Sequence, residues 1–548
     1  MFGRACLDTL GAVQCGPSIA VDFLANLLLI LNIVIVHCHF ERGGVTQVVE
    51  NHVRWLSRQQ AIEKIVLLSG GRDSGLSGDT LQSTESIHLE GFEYDSLLSA
   101  NGDDLDARTD TLVRQWDEKM REMQFSPADT VVHWHNHSLG KNVAAPKVIR
   151  RLAEMGWRLL LQVHDFAEDN RPVNYAHLIQ GTGAGTRSDL DALLYPVAGQ
   201  IHYATLTQFD AELLYRIGIP KPQTHCLPNS VTAASSVPLD KAASLGKVRK
   251  AMNLPDDASW CLYPVRGIRR KNVGEFLLLS LFAPAQCYSG VTLRPTTLVE
   301  ARSYERWQDV ANELAPRAVF DAAHHEDVSF ADNLAASRFV LSTSVAEGFG
   351  MAFLEPWLAH REVIARRLGS VTQDFERSGV RLNKLYDELP IPGSRSWIAD
   401  CRAESNRVFD SSWQSVAETF RPTNESAKLA AESDTIDFAE LTPTRQIEVL
   451  QRLQGDRGFE TAVRKGSSKI IDWMHQETDQ NEIECNIDSI GQHFSLESTG
   501  TKLQQIYEQM INATVDANCD GPINAGDAIQ IIHDARPLFP CRMENFDD

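Results

Sequence analysis

A chain of 548 residues with 43% hydrophobic content can bury more than one core, and single domains seldom grow past about 250–300 residues, so two large domains are expected. Against 52 basic residues stand 73 acidic ones, giving a formal charge of −21. Such a surface repels phosphate backbones and anionic lipid, which excludes nucleic acid as a principal partner and argues against a lasting grip on anionic membrane.

The first apolar run, Ile19 to Val36, is broken by Asp22, Asn26 and Asn32, and no basic cluster precedes it. It is therefore read as an extension over residues 1–30 followed by a buried strand, Asn32–Phe40, and not as a membrane anchor. The ten cysteines are dispersed and none has Cys-x-x-Cys spacing. In so long a chain that pattern suits a reducing compartment, and the cytoplasm is the expected location. After the first strand come Arg42-Gly43-Gly44-Val45 and an amphipathic stretch with Val48, Val49, Val53 and Leu56 at helical spacing. Strand, glycine loop and helix is how an α/β domain begins. Apolar runs at 65–68, 130–132, 159–163 and 201–206 continue the alternation, which predicts a parallel sheet covered on both faces.

Near 232–245 the composition turns to Ala, Ser and Pro, marking a linker. A second α/β series follows, with strands expected at 260–264, 292–299, 318–320 and 338–343, and from about 400 the chain becomes helical and charged. The expected architecture is two Rossmann-like α/β domains facing a cleft, over 31–235 and 245–485. Residues 486–548 supply C-terminal helices that return towards the first domain.

Chemistry concentrates at a few strand ends. Thr343-Ser-Val-Ala-Glu347-Gly348-Phe349-Gly350 runs from a strand into a glycine turn, and the apolar segment that follows reaches Glu355. Backbone N–H groups at such a turn suit a sugar or phosphate. Tyr263-Pro-Val-Arg266-Gly-Ile-Arg269-Arg270-Lys271 packs four cations into six residues behind another strand, which suits neutralising a leaving diphosphate. Leu161-Gln-Val-His164-Asp165 places a histidine at a third strand end.

The segment from Glu347 to Glu355 resembles the E-x(7)-E signature of retaining glycosyltransferases with the GT-B fold. The likeness spans residues 32–375 well and 486–512 loosely. It implies that Glu347 contacts the transferred sugar and that Glu355 binds the ribose hydroxyls. It further implies that Arg266 and Lys271 hold the donor diphosphate, that Gly43, Gly44, Gly348, Phe349 and Gly350 line the donor, and that His164 lies beside the donor sugar. The substrates implied are a nucleotide-sugar donor and an acceptor that could be a glycan, a lipid-linked sugar or a small molecule, with no cofactor and no essential metal. Departures are Ser230, where relatives usually carry glycine, and the segments after Glu355 and after Leu368; residues 400–485 carry no recognisable motif.

Two features pull elsewhere. His133, His135 and His137 share one face of an extended segment, as metal ligands on a strand would, so a metal-dependent hydrolase is a rival, as is a non-catalytic sugar-nucleotide binder. Asp516 to Asp527 fits much of a calcium-loop pattern, with aspartate where glutamate usually closes it.

Overall fold

In the computed structural model the structure describes residues 30–95, 105–235, 237, 239–423 and 433–543. The expected extension over residues 1–30 lies almost wholly outside these. Among the described residues no helix is long and apolar enough to cross a membrane.

The first domain is built on a seven-stranded parallel sheet: β1 (Leu31–Val36), β2 (Ile62–Ser69), β3 (Glu85–His88), β4 (Thr130–His135), β5 (Arg158–Val163), β6 (Ile201–Thr205) and β7 (Thr224–Cys226). Their order is β3-β2-β1-β4-β5-β6-β7. All six residues of β1 are buried because helices cover both faces, and a strand with no wet side must be continuously apolar. Chain order reverses between β1 and β4, so the loops leaving these two strands flank a crevice.

The second domain repeats the plan with six strands: β8 (Ser259–Arg266), β9 (Cys287–Leu293), β10 (Ala318–Val319), β11 (Val340–Ser342), β12 (Val363–Arg366) and β13 (Leu385–Tyr386). The order β10-β9-β8-β11-β12-β13 puts its reversal between β8 and β11. The strand expected at 292–299 lies earlier in the structure. Cys287–Leu293 pairs with β8, while Leu298 and Val299 open an α-helix with both side chains exposed. Apolar character alone did not separate a strand's end from the next helix's start. The helix Lys241–Ala251 begins inside the predicted linker, capped by Asp240 Oδ1 accepting from the Ala243 amide at 2.7 Å, and packs on Phe330–Ala336.

The C-terminal region ties the domains together. Helix Leu496–Ile511 lies along helix Gly44–Leu56, where Gly500 meets the Trp55 ring so closely that a Cβ would stand 2.2 Å from it. Further on, Arg536 pairs with Asp169 and Asp210, and Arg542 donates to Asp169 Oδ1 at 3.0 Å. Burial alone would raise the Asp169 carboxyl, but Arg542 and Arg536 hold it far below the carboxylate range. Cys541 meanwhile packs beside Val345 and Ala439 of the second domain. Residues 533–542 thus run across the mouth of the cleft.

Candidate active site

The two loops at the second sheet's reversal are the two richest motifs in the sequence. The β8 loop carries Arg266 to Lys271, and the β11 loop carries Thr343 to Gly350. Backbone and side chains lock them together. The Val345 amide donates to the Arg270 carbonyl (3.0 Å), and Thr343 Oγ1 and the Tyr263 hydroxyl donate to the Lys271 carbonyl (2.9 and 3.0 Å). This frame presses the Lys271 ammonium against Glu347 Oε1, which also accepts from Ser344 Oγ at 2.6 Å. Both side chains are nearly covered, at 9% and 8% exposure, so the pair stands in a low-dielectric site where charge interactions are strong. Burial alone would raise the Glu347 carboxyl, yet Lys271 and Arg270 hold it below its ordinary value.

Gly350 sits at φ +90°, in the left-handed region, and a Cβ there would stand 2.8 Å from Val371. Glycine at 348 serves close approach instead, since its Cβ would lie 3.2 Å from the His164 carbonyl oxygen of the first domain. The intervening Phe349 turns its ring into the core, edge-on to Phe375 at 5.4 Å. What Phe349 can offer a ligand is therefore its backbone and not its side chain. Arg266 carries a half-buried guanidinium with no partner among the described residues, and Glu355 is likewise half-buried without one. Burial pushes the Glu355 carboxyl up to about 7. Gly44 opens the first long helix with nothing within 4 Å of a virtual Cβ, which leaves open space before that helix N-terminus.

Across the cleft Asp165 links the halves, accepting from Arg171 at 2.6 Å and lying 3.6 Å from Arg270 of the second domain. The predicted residues His164, Lys271 and Glu347 thus meet at one interdomain seam, and Arg266 stands at the base of the same loop. Sequence reasoning had no role for Arg270; its signal was only membership of the basic run.

No family model matches the chain. The mannosylglucosyl-3-phosphoglycerate synthase of Petrotoga mobilis is 28% identical over 370 residues, covering 66% of this chain and 69% of that protein. Among solved structures, sucrose-phosphate synthase from Thermosynechococcus elongatus aligns with a TM-score of 0.52 at 14% identity, over 88% of this chain and 99% of that one. The chain has the GT-B fold of glycosyltransferases. The fold and the curated relative together support glycosyltransferase activity.

In this GT-B frame the histidines form a ladder. The rings of His52, His133, His135 and His164 follow one another with successive centroids 5.3, 4.4 and 5.1 Å apart, each neighbouring pair stacked. Ligand nitrogens of His52, His133 and His135 lie within 4.8 Å of one another, so the structure groups two of the three histidines behind the metal rival with His52 and not with His137. Both nitrogens of His133 are already engaged, however, by the Tyr507 hydroxyl at 2.8 Å and Gln162 Oε1 at 2.9 Å. A metal would have to displace one of these partners and turn face-stacked rings edge-on. His137 points elsewhere, to the Leu194 carbonyl at 2.8 Å. Burial drives all of these imidazoles down, His52 to about 3 and His164 to about 4, so they are neutral at pH 7.

In the predicted calcium loop, Asp516 accepts from the Gly199 amide (2.5 Å) and the Asn524 side chain donates to the Arg216 carbonyl (2.6 Å). These groups dock the loop on the first domain. A cavity of about 860 Å³ opens beside Glu347, walled by Phe209, the Arg366–Ser370 turn and the 533–542 segment. Its arginines are matched by carboxylates: Arg366 by Glu275 and Asp437, Arg536 by Asp169 and Asp210, and Arg542 by Asp169.

Proposed function

We propose that the chain moves a hexose from a nucleotide-sugar donor to an acceptor with retention of anomeric configuration. The observation that carries this reading is the covered Lys271–Glu347 pair at the second sheet's reversal, set against His164. A diphosphate held by Arg266 and Lys271 develops charge as the C1–O bond breaks, and fixed cations in a dry site stabilise it without reorganising. Glu347 keeps its charge beside Lys271 and is suited to accept hydroxyl hydrogen bonds from the sugar. Asp165, a carboxylate on the opposite wall, is tied to Arg171 and Arg270 and so is poorly placed as a nucleophile. That favours attack on the donor's leaving-group face, where the acceptor oxygen bonds to C1 and the departing phosphate takes its proton. The name of the curated relative supports transfer of a hexose.

The test has two steps. Thermal shift against UDP, GDP, ADP and their sugar conjugates should show selective stabilisation by one nucleotide. Proton NMR of the product's anomeric coupling then reads the configuration. An inverted product refutes retention, and no stabilisation by any nucleotide refutes the donor.

The ladder gives His164 a defined tautomer. His135 Nδ1 stands 2.8 Å from His164 Nε2, while His135 Nε2 is buried without a partner. A buried orphan N–H is rarer and costlier than a buried orphan lone pair, so the His135 proton sits on Nδ1 and is donated to His164. His164 then carries its own proton on Nδ1, the nitrogen left to meet a ligand. His135→Leu should lower kcat/KM for the donor about five- to tenfold, the worth of one such bond. His135→Asn, whose amide N–H can replace the donor, should lose much less. Equal losses in the two variants would mean that His135 acts only through packing.

A further inference from the structure

The crevice at the first sheet's reversal contains charge that the donor reading leaves unused. Lys141 lies in the loop after β4, half-buried, with no hydrogen-bond or ion-pair partner among the described residues. Its Nζ stands 5.9 Å from the centre of the Tyr94 ring. Burial and the neighbouring Arg171 guanidinium pull the ammonium pKa down, with no carboxylate set against them. Arg171 spends one edge on Asp165 and keeps a buried Nε without a partner. Arg270, 3.6 Å from the same Asp165, likewise has an unpartnered buried Nε. Arg42, in the loop after β1, is exposed and unpaired among the described residues.

A cationic path thus runs from Lys141 through Arg171 and Arg270 to Lys271, in a chain whose net charge is −21. Arg171 and Arg270 share Asp165, and Lys271 has Glu347, but among the described residues no carboxylate is set against Lys141. An ammonium drawn out of water without a counter-charge costs free energy, and such groups collect where a ligand completes them. The reversal between β1 and β4 is where an open parallel sheet accommodates a ligand. In the large cavity beside Glu347 each of Arg366, Arg536 and Arg542 has carboxylate partners of its own, whereas Lys141 has none among the described residues.

We propose that this crevice is an oxyanion subsite for the acceptor, in which Lys141, with Arg171 beside it, holds a phosphate or carboxylate. The acceptor is then a negatively charged small molecule and not a neutral glycan, with its hydroxyl presented towards the Glu347 side of the seam. This rests on the glycosyl-transfer reading above.

Two readouts on the full chain test it. In the first, inorganic phosphate is titrated in a thermal-shift assay with the donor site filled by the stabilising nucleoside diphosphate. Phosphate should raise the melting temperature of the wild type but not of Lys141→Ala, and equal stabilisation of both overturns the subsite. In the second, nucleotide release is compared between glucose and glucose 6-phosphate, and between glycerol and glycerate 3-phosphate. The charged partner of each pair should be preferred. Lys141→Ala should raise the acceptor KM about 10- to 100-fold, the loss of a charge-assisted bond, with the donor KM unchanged and partial rescue by Lys141→Arg. Preference for the neutral partners, or a matching rise in donor KM, overturns the proposal. Failure of every nucleotide to bind instead refutes the transfer reading, and the phosphate titration without nucleotide still reports on Lys141.

Discussion

Lys271→Ala should lower kcat for nucleotide release by about 10²–10³-fold, the usual cost of removing one preorganised group from a charge-developing transition state. It should also destabilise the fold by about 3–5 kcal/mol, because Glu347 would be left in a covered site without its main counter-charge. Arg270 and Ser344 remain beside that carboxylate and set the lower end of the range. The two effects are separable. Lys271→Met combined with Glu347→Gln removes both charges and should recover most of the urea midpoint, since a buried pair replaced as a unit is often neutral for stability. Turnover should stay lost if the proposed mechanism holds, because neither the cation assigned to the diphosphate nor the carboxylate assigned to the sugar returns. Wild-type turnover in Lys271→Ala would remove this pair from the chemistry. Recovery of turnover in the double variant would do the same.

The parts of the site that lie within one strand and its following loop were legible in the sequence. Arg266 to Lys271 and Thr343 to Gly350 each announce themselves as a buried strand running into glycine and charge. Their meeting was not legible, because it depends on strand order: β8 and β11 are neighbours only since the chain crosses back over the sheet. Pattern also overreached. Phe349 lies inside a glycine turn and looks like a donor contact, but a neighbouring core needs its ring. His133 and His135 share a strand face as ligands would, and the structure instead stacks them and satisfies His133 from Tyr507, 374 residues away. Lys141 carried no motif at all, since an unpaired ammonium becomes informative only once its surroundings are known. The clamp of Arg536 and Arg542 on Asp169 was invisible for the same reason, as its partners are separated by more than 360 residues.

Glu355→Gln should have opposite effects on stability and on donor binding. Burial raises this carboxyl from an ordinary value of 4.5 to about 7, so the native state holds a proton that the unfolded chain gives up. Stability from this group is therefore full below pH 4.5 and is lost as the pH climbs through 7. The amide cannot ionise, so Glu355→Gln should match the wild type at pH 4 and exceed its melting temperature at pH 8. Donor binding runs the other way. Two ribose hydroxyls donate best to the ionised carboxylate, and affinity in the wild type should rise as the pH passes from 6 to 8. In Glu355→Gln that rise should vanish and affinity at pH 8 should fall about 10- to 100-fold, the worth of hydrogen bonds to a charged group. Calorimetric titration of the nucleotide at pH 6 and 8 reads the affinities, and melting curves at pH 4 and 8 read the stability. A variant that binds nucleotide as tightly as the wild type throughout would leave Glu355 a strained core carboxyl with no ribose contact. Stabilisation at pH 8 joined to lost affinity would mark it as a group kept at a cost to the fold because the ligand requires it.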